Sequence, residues 1–245
     1  MRTTRIYLPV PLREDATVEL DERARRHAVT VLRLRAGDEL TLFNGEGGEW
    51  RARLEEVSRR SVRARIGQAL APAGDTESPL RITLLQGISR GERMDFTIQK
   101  AVELGVSRII PVVTERTQVR LSGERLERRL HHWRGVLIHA CEQSGRDRLP
   151  LLETPRPLAD ALAESDEPGL LLDPRGDRAI TDLPQGMATV RLLIGPEGGL
   201  SDRERSMARE AGFEGLRLGP RILRTETAAL AAIAALQSRF GDLRS

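Results

Sequence analysis

The stretch 192–204, LLIGPEGGLSDRE, sets the reading of the whole chain. An apolar run stops at Gly195, and Pro196, Glu197, Gly198 and Gly199 follow. Ser201 then opens a helix, with Glu204 completing a capping box. A buried strand that enters a loop and then a capped helix has this pattern. Glycine lets a backbone approach a ligand closely and turn its amides and carbonyls outward. Proline stiffens the segment beside it. The unusual member is Glu197, a carboxylate placed among these residues.

The same texture extends to both sides. RITLLQGI (81–88), VSRIIPVV (106–113), GLLLD (169–173) and ATVRLLIG (188–195) read as apolar strands. GLRLG (215–219) reads as a further short strand. Between them, RMDFTIQKAVELG (93–105) places Met94, Ile98, Ala101 and Val102 at helical spacing and ends at Gly105. Residues 122–145 place Leu126, Leu130, Trp133, Leu137 and Cys141 on one stripe of a long amphipathic helix. SDRERSMAREAG (201–212) stops at its glycine, and TETAALAAIAALQSRF (225–240) is a final alanine-rich helix. Strands alternating with helices predict an α/β domain with a largely parallel sheet. Ligand sites in such sheets lie at the carboxyl ends of the strands. Three such ends carry Gly-Pro loops, at 172–176, 195–199 and 218–227.

Ahead of this region the period changes. EWRARLEEV (49–57) puts Trp50, Ala52 and Leu54 on one face and Arg51 and Arg53 on the other. SVRARIG (61–67) repeats the pattern with Val62, Ala64 and Ile66 against Arg63 and Arg65. Alternation of period two means one buried and one wet face. DELTLFN (38–44) leads into a GEGG turn, and one short helix spans roughly 21–32. A small β-barrel fits residues 1–70, the Pro, Gly and acidic residues of 71–79 read as a linker, and 80–245 form the α/β domain.

With 245 residues, 39% of them hydrophobic, the chain can bury a core, and its 31% charged residues are mixed in sign. No apolar run approaches the ~18 residues of a membrane span, the first residues lack a signal-peptide core, and Cys141 has no disulfide partner. A cytoplasmic protein is expected. Lys100 is the single lysine, so the basic residues are otherwise arginines, whose planar fork suits phosphates and base edges. Residues 1–70 hold 14 arginines against 11 acids, and this excess equals the whole net charge of +3. A Walker A loop and an H-E-x-x-H zinc motif are missing, and no metal site is expected. Gly45-Glu46-Gly47 has Trp50 where a dinucleotide fingerprint needs glycine.

RGERMDFTIQKAVELGV, HACEQSGR, LLIGPEGGLSDRE and LGPRILRTETAALAAI, in that order, resemble the RsmE family of small-subunit ribosomal RNA methyltransferases, of the SPOUT or α/β-knot superfamily. RIYLP and HAVTVLRLRAGDEL resemble that family's N-terminal barrel, so the resemblance covers nearly the whole chain. It implies a PUA-like barrel followed by a trefoil-knotted domain and S-adenosylmethionine held in the knot loops. It also implies a homodimer and methylation of N3 of uracil-1498 in 16S RNA of the small ribosomal subunit.

On that resemblance the cofactor set is Leu172, Gly195, Pro196, Glu197, Gly198, Leu218, Gly219, Leu223, Arg224, Thr225 and Thr227. Backbone groups would hold the adenine edge, with leucines as walls. N3 of uracil is weakly acidic, so a group must take its proton or stabilise the resulting anion. Arg221 and Arg224 suit the anion because their charge is permanent, and Arg224, Glu197 and Arg221 form the candidate catalytic set. Glu197 has three readings: proton acceptor, loop organiser bound to amides or arginine, or contact to the cationic cofactor. Its place near a helix start favours the second. Arg5, Arg33, Arg93, Glu142 and Arg146 are the candidate RNA contacts, and the face of Arg51, Arg53, Arg63 and Arg65 is a candidate docking surface. A ribose 2′-O-methyltransferase and a non-catalytic RNA-binding protein are the rival readings.

Overall fold

The computed structural model describes residues 4–71, 76–119, 121–164 and 166–243. Part of the expected linker, 72–75, lies outside the described residues. The chain divides into two compact units, Met1–Thr76 with Cys141–Leu149, and Glu77–Ala140 with Pro150–Ser245.

The first unit carries β1 (Arg5–Tyr7), β2 (Thr17–Glu19), α1 (Glu22–Arg26), β3 (Glu39–Phe43), β4 (Trp50–Val57) and β5 (Val62–Ala69). Asp21 caps α1 by accepting from the Ala24 amide at 2.7 Å, and the helix continues into a π-turn over His27–Val31. The strands form one mixed sheet in the order β1-β3-β4-β5-β2, parallel only between β1 and β3. Two register shifts between β4 and β5 bend it. Alternation works as the sequence requires. Ala52, Leu54, Val62, Ala64 and Ile66 join Ile6, Leu40 and Leu42 in one core, while Arg51, Arg53, Arg63 and Arg65 are exposed.

The second unit contains β6 (Arg81–Gly87), α2 (Glu92–Glu103), β7 (Arg108–Val113), α3 (Gly123–Ser144), β8 (Leu151–Leu152), β9 (Arg156–Pro157), α4 (Leu158–Leu162), β10 (Gly169–Leu172), β11 (Thr189–Ile194), α5 (Asp202–Glu210), β12 (Phe213–Leu216) and α6 (Thr225–Phe240), with the last turn of α3 grouped in the first unit. The sheet runs β12-β10-β11-β6-β7-β8, with β9 also on β7, and every pairing is parallel. Leu85, Ile110, Leu171 and Leu193 pack with Leu158, Leu162, Leu200 and Phe213 in one core. The expected strand at 215–219 lies earlier, at Phe213–Leu216, because Phe213 is the residue that fills the core beside Gly169. Chain order diverges at the β11–β6 pair, with β7 and β8 on one side and β10 and β12 on the other. Parallel α/β sheets bind ligands beyond the carboxyl ends of the strands at such a point.

Within the first unit Arg5 is a structural residue. Its Nε donates to Glu49 at 2.6 Å, and its other nitrogens donate to the carbonyls of Cys141 at 2.7 Å and Arg146 at 2.9 Å. The guanidinium also lies 4.6 Å above the Phe43 ring. Cys141 is in the last turn of α3, where its carbonyl also accepts from the Gly145 amide at 3.2 Å, so Arg5 adds a cationic cap to the negative end of the helix. Glu142 is buried and accepts from the Tyr7 amide and from Arg23, each at 3.0 Å. Arg146 is 4% exposed. Protein partners thus occupy Arg5, Glu142 and Arg146, all three expected as RNA contacts. Replacing Arg5 by alanine is expected to remove about 3 kcal/mol of stability, because the Glu49 carboxylate and the carbonyls at the end of α3 lose their cationic partner. Urea unfolding measures it, and a loss below about 1 kcal/mol would contradict this role. Arg33 differs: it is exposed, in a left-handed conformation at φ 57°.

Candidate active site

The carboxyl ends of β10 and β11, with the loop from β12 to α6, enclose a cavity of about 560 Å³. Leu172, Leu218 and Leu223 are among its walls, and Gly195–Gly199 forms a third side. Pro196 to Gly199 is a tight turn, closed by the Gly199 amide donating to the Pro196 carbonyl at 2.8 Å. Gly199 is at φ 66°, which favours glycine. Ser201 caps α5: its hydroxyl accepts from the Glu204 amide at 3.2 Å, and Glu204 Oε2 accepts from the Ser201 amide at 2.8 Å. The other Glu204 oxygen accepts from the Glu115 amide at 2.8 Å, so the capping box also ties down the loop after β7.

Two contacts set the loop's position. A Cβ on Gly87 would fall 2.4 Å from the Pro196 nitrogen, so the strand end and the loop meet backbone to backbone. Buried Gln86 donates to Thr225 Oγ1 at 3.0 Å, and that hydroxyl donates to the Gly195 carbonyl at 2.7 Å. This chain joins β6, the end of β11 and the first residue of α6. Neither Gln86 nor Gly87 stands out in the sequence, because an apolar strand hides one glutamine and a final glycine reads as a turn.

Glu197 Oε1 accepts from the Arg90 amide at 2.9 Å and from Arg93 Nη1 at 3.0 Å. Arg93 Nε also lies 3.9 Å from Glu226, so one arginine spans the 195–199 loop and the first turn of α6. Burial raises the Glu197 pKa, but the Arg90 amide, its own amide and the Arg93 guanidinium outweigh it and hold the carboxyl below its ordinary range. Such a carboxylate is a weaker base and a firmer acceptor. Arg116 completes the support by donating to the Gly198 carbonyl at 2.9 Å.

Arg221 and Arg224 both line the cavity and are exposed. Among the described residues, neither guanidinium has a hydrogen-bonding partner or a carboxylate within ion-pair distance. Gly219 is at φ 68°, which permits the turn that presents them. Of the expected cofactor set, Leu172, Gly195, Pro196, Glu197, Gly198, Leu218, Gly219, Leu223, Arg224 and Thr225 come together at this cavity. Thr227 does not. α6 begins at Thr225, so Ala228, nearly one turn on, shares its face, whereas Thr227 points elsewhere and is exposed. Arg93 belongs to this cavity through Glu197 and Glu226, and Arg33 is in the other unit. Glu226 itself was not expected from the sequence. It lines the cavity, and its Oε2 is buried without a hydrogen-bonding partner among the described residues.

Residues 76–237 match the RNA methyltransferase domain family, and residues 20–67 match the RNA methyltransferase PUA domain family. Fold and site together thus define an RNA methyltransferase. Ribosomal RNA small subunit methyltransferase E of Buchnera aphidicola from Schizaphis graminum is 35% identical over 244 residues, 99% of this chain and 98% of that one. The protein of the same name from Neisseria gonorrhoeae, solved bound to S-adenosyl methionine, is 43% identical with a TM-score of 0.93, over 99% of this chain and 100% of that one. A Legionella pneumophila protein solved with the bound cofactor SAM is also 43% identical, with a TM-score of 0.95 over 99% of this chain and 100% of that one. The chain belongs to the ribosomal RNA small subunit methyltransferase E family.

Proposed function

We propose that this protein transfers a methyl group from S-adenosylmethionine to N3 of a uridine in 16S ribosomal RNA, uracil-1498 in the family's reaction. The observation that carries the reading is the cavity at the carboxyl ends of β10 and β11, built from the loops that the family motif marks. Its volume of about 560 Å³ suits a cofactor of nucleoside size. The unpartnered Glu226 oxygen suits a ligand that carries positive charge. Tying Thr225 to the end of β11 fits the knotted crossing of this family.

S-adenosylmethionine supplies the electrophilic methyl group. The protein's part is alignment and charge. Leu172, Leu218 and Leu223 are the apolar walls, and the backbone of 195–199 and 218–223 provides the polar edge. Holding donor and acceptor in line at near-attack distance supplies a large share of the acceleration. Arg221 and Arg224 stabilise the anion that develops over O2 and O4 of uracil as the N3 proton passes to solvent water, because their forked charge is not committed to protein acceptors. Glu197 organises the loop. Exposed Arg33 and the Arg51, Arg53, Arg63 and Arg65 face are the RNA-facing groups of the first unit. The working form is a homodimer in the cytoplasm, and Ile222, 86% exposed in the loop beside the cavity, suits coverage by a second copy. Among the described residues no helix is long and apolar enough to cross a membrane.

Calorimetry with S-adenosylmethionine tests the cofactor, and transfer of labelled methyl to small subunits or to free 16S RNA tests the substrate. Saturable binding and label in RNA are expected, and absence of either overturns the reading. A stable monomer by light scattering would remove the dimer.

The loop role of Glu197 has a pH signature. A carboxyl whose folded pKa lies below its unfolded value of about 4.3 stabilises the fold above that value. The contribution is lost as pH falls through the folded value. Glu197→Gln is therefore expected to lower the Tm at pH 7 and to match the parent at strongly acid pH. At saturating cofactor its single-turnover rate should stay within about fivefold of the parent, whereas a lost general base costs about 10²-fold or more.

A further inference from the structure

A second cavity of about 450 Å³ opens in the same unit, at the carboxyl ends of β6 and β7. Arg90, Arg125, Arg129 and Gln118 line it, with Ile88 and Trp133 among its apolar contacts. No carboxylate lines it among the described residues. Arg129 lies 4.0 Å from Asp95, which also accepts from Trp133 Nε1 at 3.1 Å and meets His132 at 2.7 Å. Arg90 and Arg125 are exposed, and their guanidinium groups have no ion-pair or hydrogen-bonding partner among the described residues. Gly91, at φ 59°, precedes α2 without a side-chain cap, so the first amides of that helix add to the positive field beside the cavity.

One short segment separates this cavity from the candidate active site. The Arg90 amide holds Glu197, the Arg90 side chain faces the second cavity, and Arg93 lines the first. We propose that the second cavity is a phosphate subsite for the RNA strand whose target base enters the first. Arg90 and Arg125 grip a backbone phosphate flanking that base, Arg129 adds charge, and Gln118 offers a donor to the sugar or phosphate. Arginine forks make bidentate bonds to phosphate oxygens, and such contacts fix register without reading sequence. The subsite rests on the methyltransferase reading. It also explains how a uridine is aligned with a site whose own arginines face the base.

The test uses Arg90→Gln, Arg125→Gln and the double variant of the full-length protein. Binding of a labelled single-stranded oligoribonucleotide is followed by fluorescence anisotropy between about 50 and 200 mM salt. Each single change is expected to weaken binding about tenfold. The double variant should lower the slope of log affinity against log salt by about 1.4, the value for two lost contacts on a single strand. In methyl transfer to small subunits the KM of Arg125→Gln for RNA should rise by a similar factor, with kcat and S-adenosylmethionine affinity held within about twofold. Unchanged RNA affinity and salt slope would overturn the subsite, whatever the activity. A parent protein that binds RNA through these arginines yet transfers no methyl would instead sink the functional reading, and with it the alignment role, leaving only a phosphate contact at this cavity.

Discussion

Arg224→Ala is expected to slow single-turnover methyl transfer by about 10²- to 10³-fold, the usual effect of removing one preorganised donor to a developing anion. Affinity for S-adenosylmethionine should change by less than about fivefold. Arg224 is the N-cap of α6, its position is fixed by Thr225 on Gly195, and its guanidinium faces the cavity without a protein partner. A permanent cation so placed interacts weakly with neutral uracil and strongly with the anion, so its effect falls on the rate. Arg224→Lys should recover only part of the loss, because an ammonium cannot match the fork. A variant with full rate and lost cofactor binding would move Arg224 from the chemistry to the cofactor. Arg221 stands on the same loop and is expected to show a smaller effect of the same kind.

The second large effect concerns Gly87→Val. Gly87 ends β6, and any Cβ there meets the Pro196 nitrogen at 2.4 Å and its Cδ at 2.6 Å. Neither atom is the end of a flexible side chain, so the 195–199 loop must move. That loop carries the turn closed on Pro196 and the acceptor that Arg90 and Arg93 hold. Overpacking of this kind costs about 1–3 kcal/mol of stability. The larger result is expected in binding: S-adenosylmethionine affinity should fall at least about 100-fold while most of the protein stays folded at 25 °C. Calorimetry beside a thermal melt separates the two. Retained affinity would show that the loop is not set by its contact with β6.

These two residues mark how far the sequence could be read. The Arg224 loop was legible because glycine, proline and arginine cluster where a strand ends, and such clusters are rare in plain turns. The α5 capping box and the full extent of α6 were legible because caps and helical periodicity are local. Gly87 and Gln86 were not, because their partners Pro196 and Thr225 lie more than a hundred residues away and only the sheet order brings them together. The packing of Arg5 was hidden for a related reason. An arginine in a basic segment looks like an RNA contact until its acceptors are known, and three of these are backbone carbonyls of 141–146. The place of Thr227 depends on helical phase alone: the boundary at Thr225 decides which face it takes. For Glu197 the structure adds what spacing lacks, namely one amide and one arginine on a single oxygen. The same oxygen cannot be both well satisfied and strongly basic.

The most direct measurement is the identity of the methylated nucleoside. Small subunits from cells lacking this enzyme are incubated with the protein and S-adenosylmethionine, and the RNA is digested to nucleosides for mass spectrometry. The predicted product is N3-methyluridine at one position, formed by the parent protein and nearly lost with Arg224→Ala. A methyl group on ribose, or on a base other than uracil, would contradict the account.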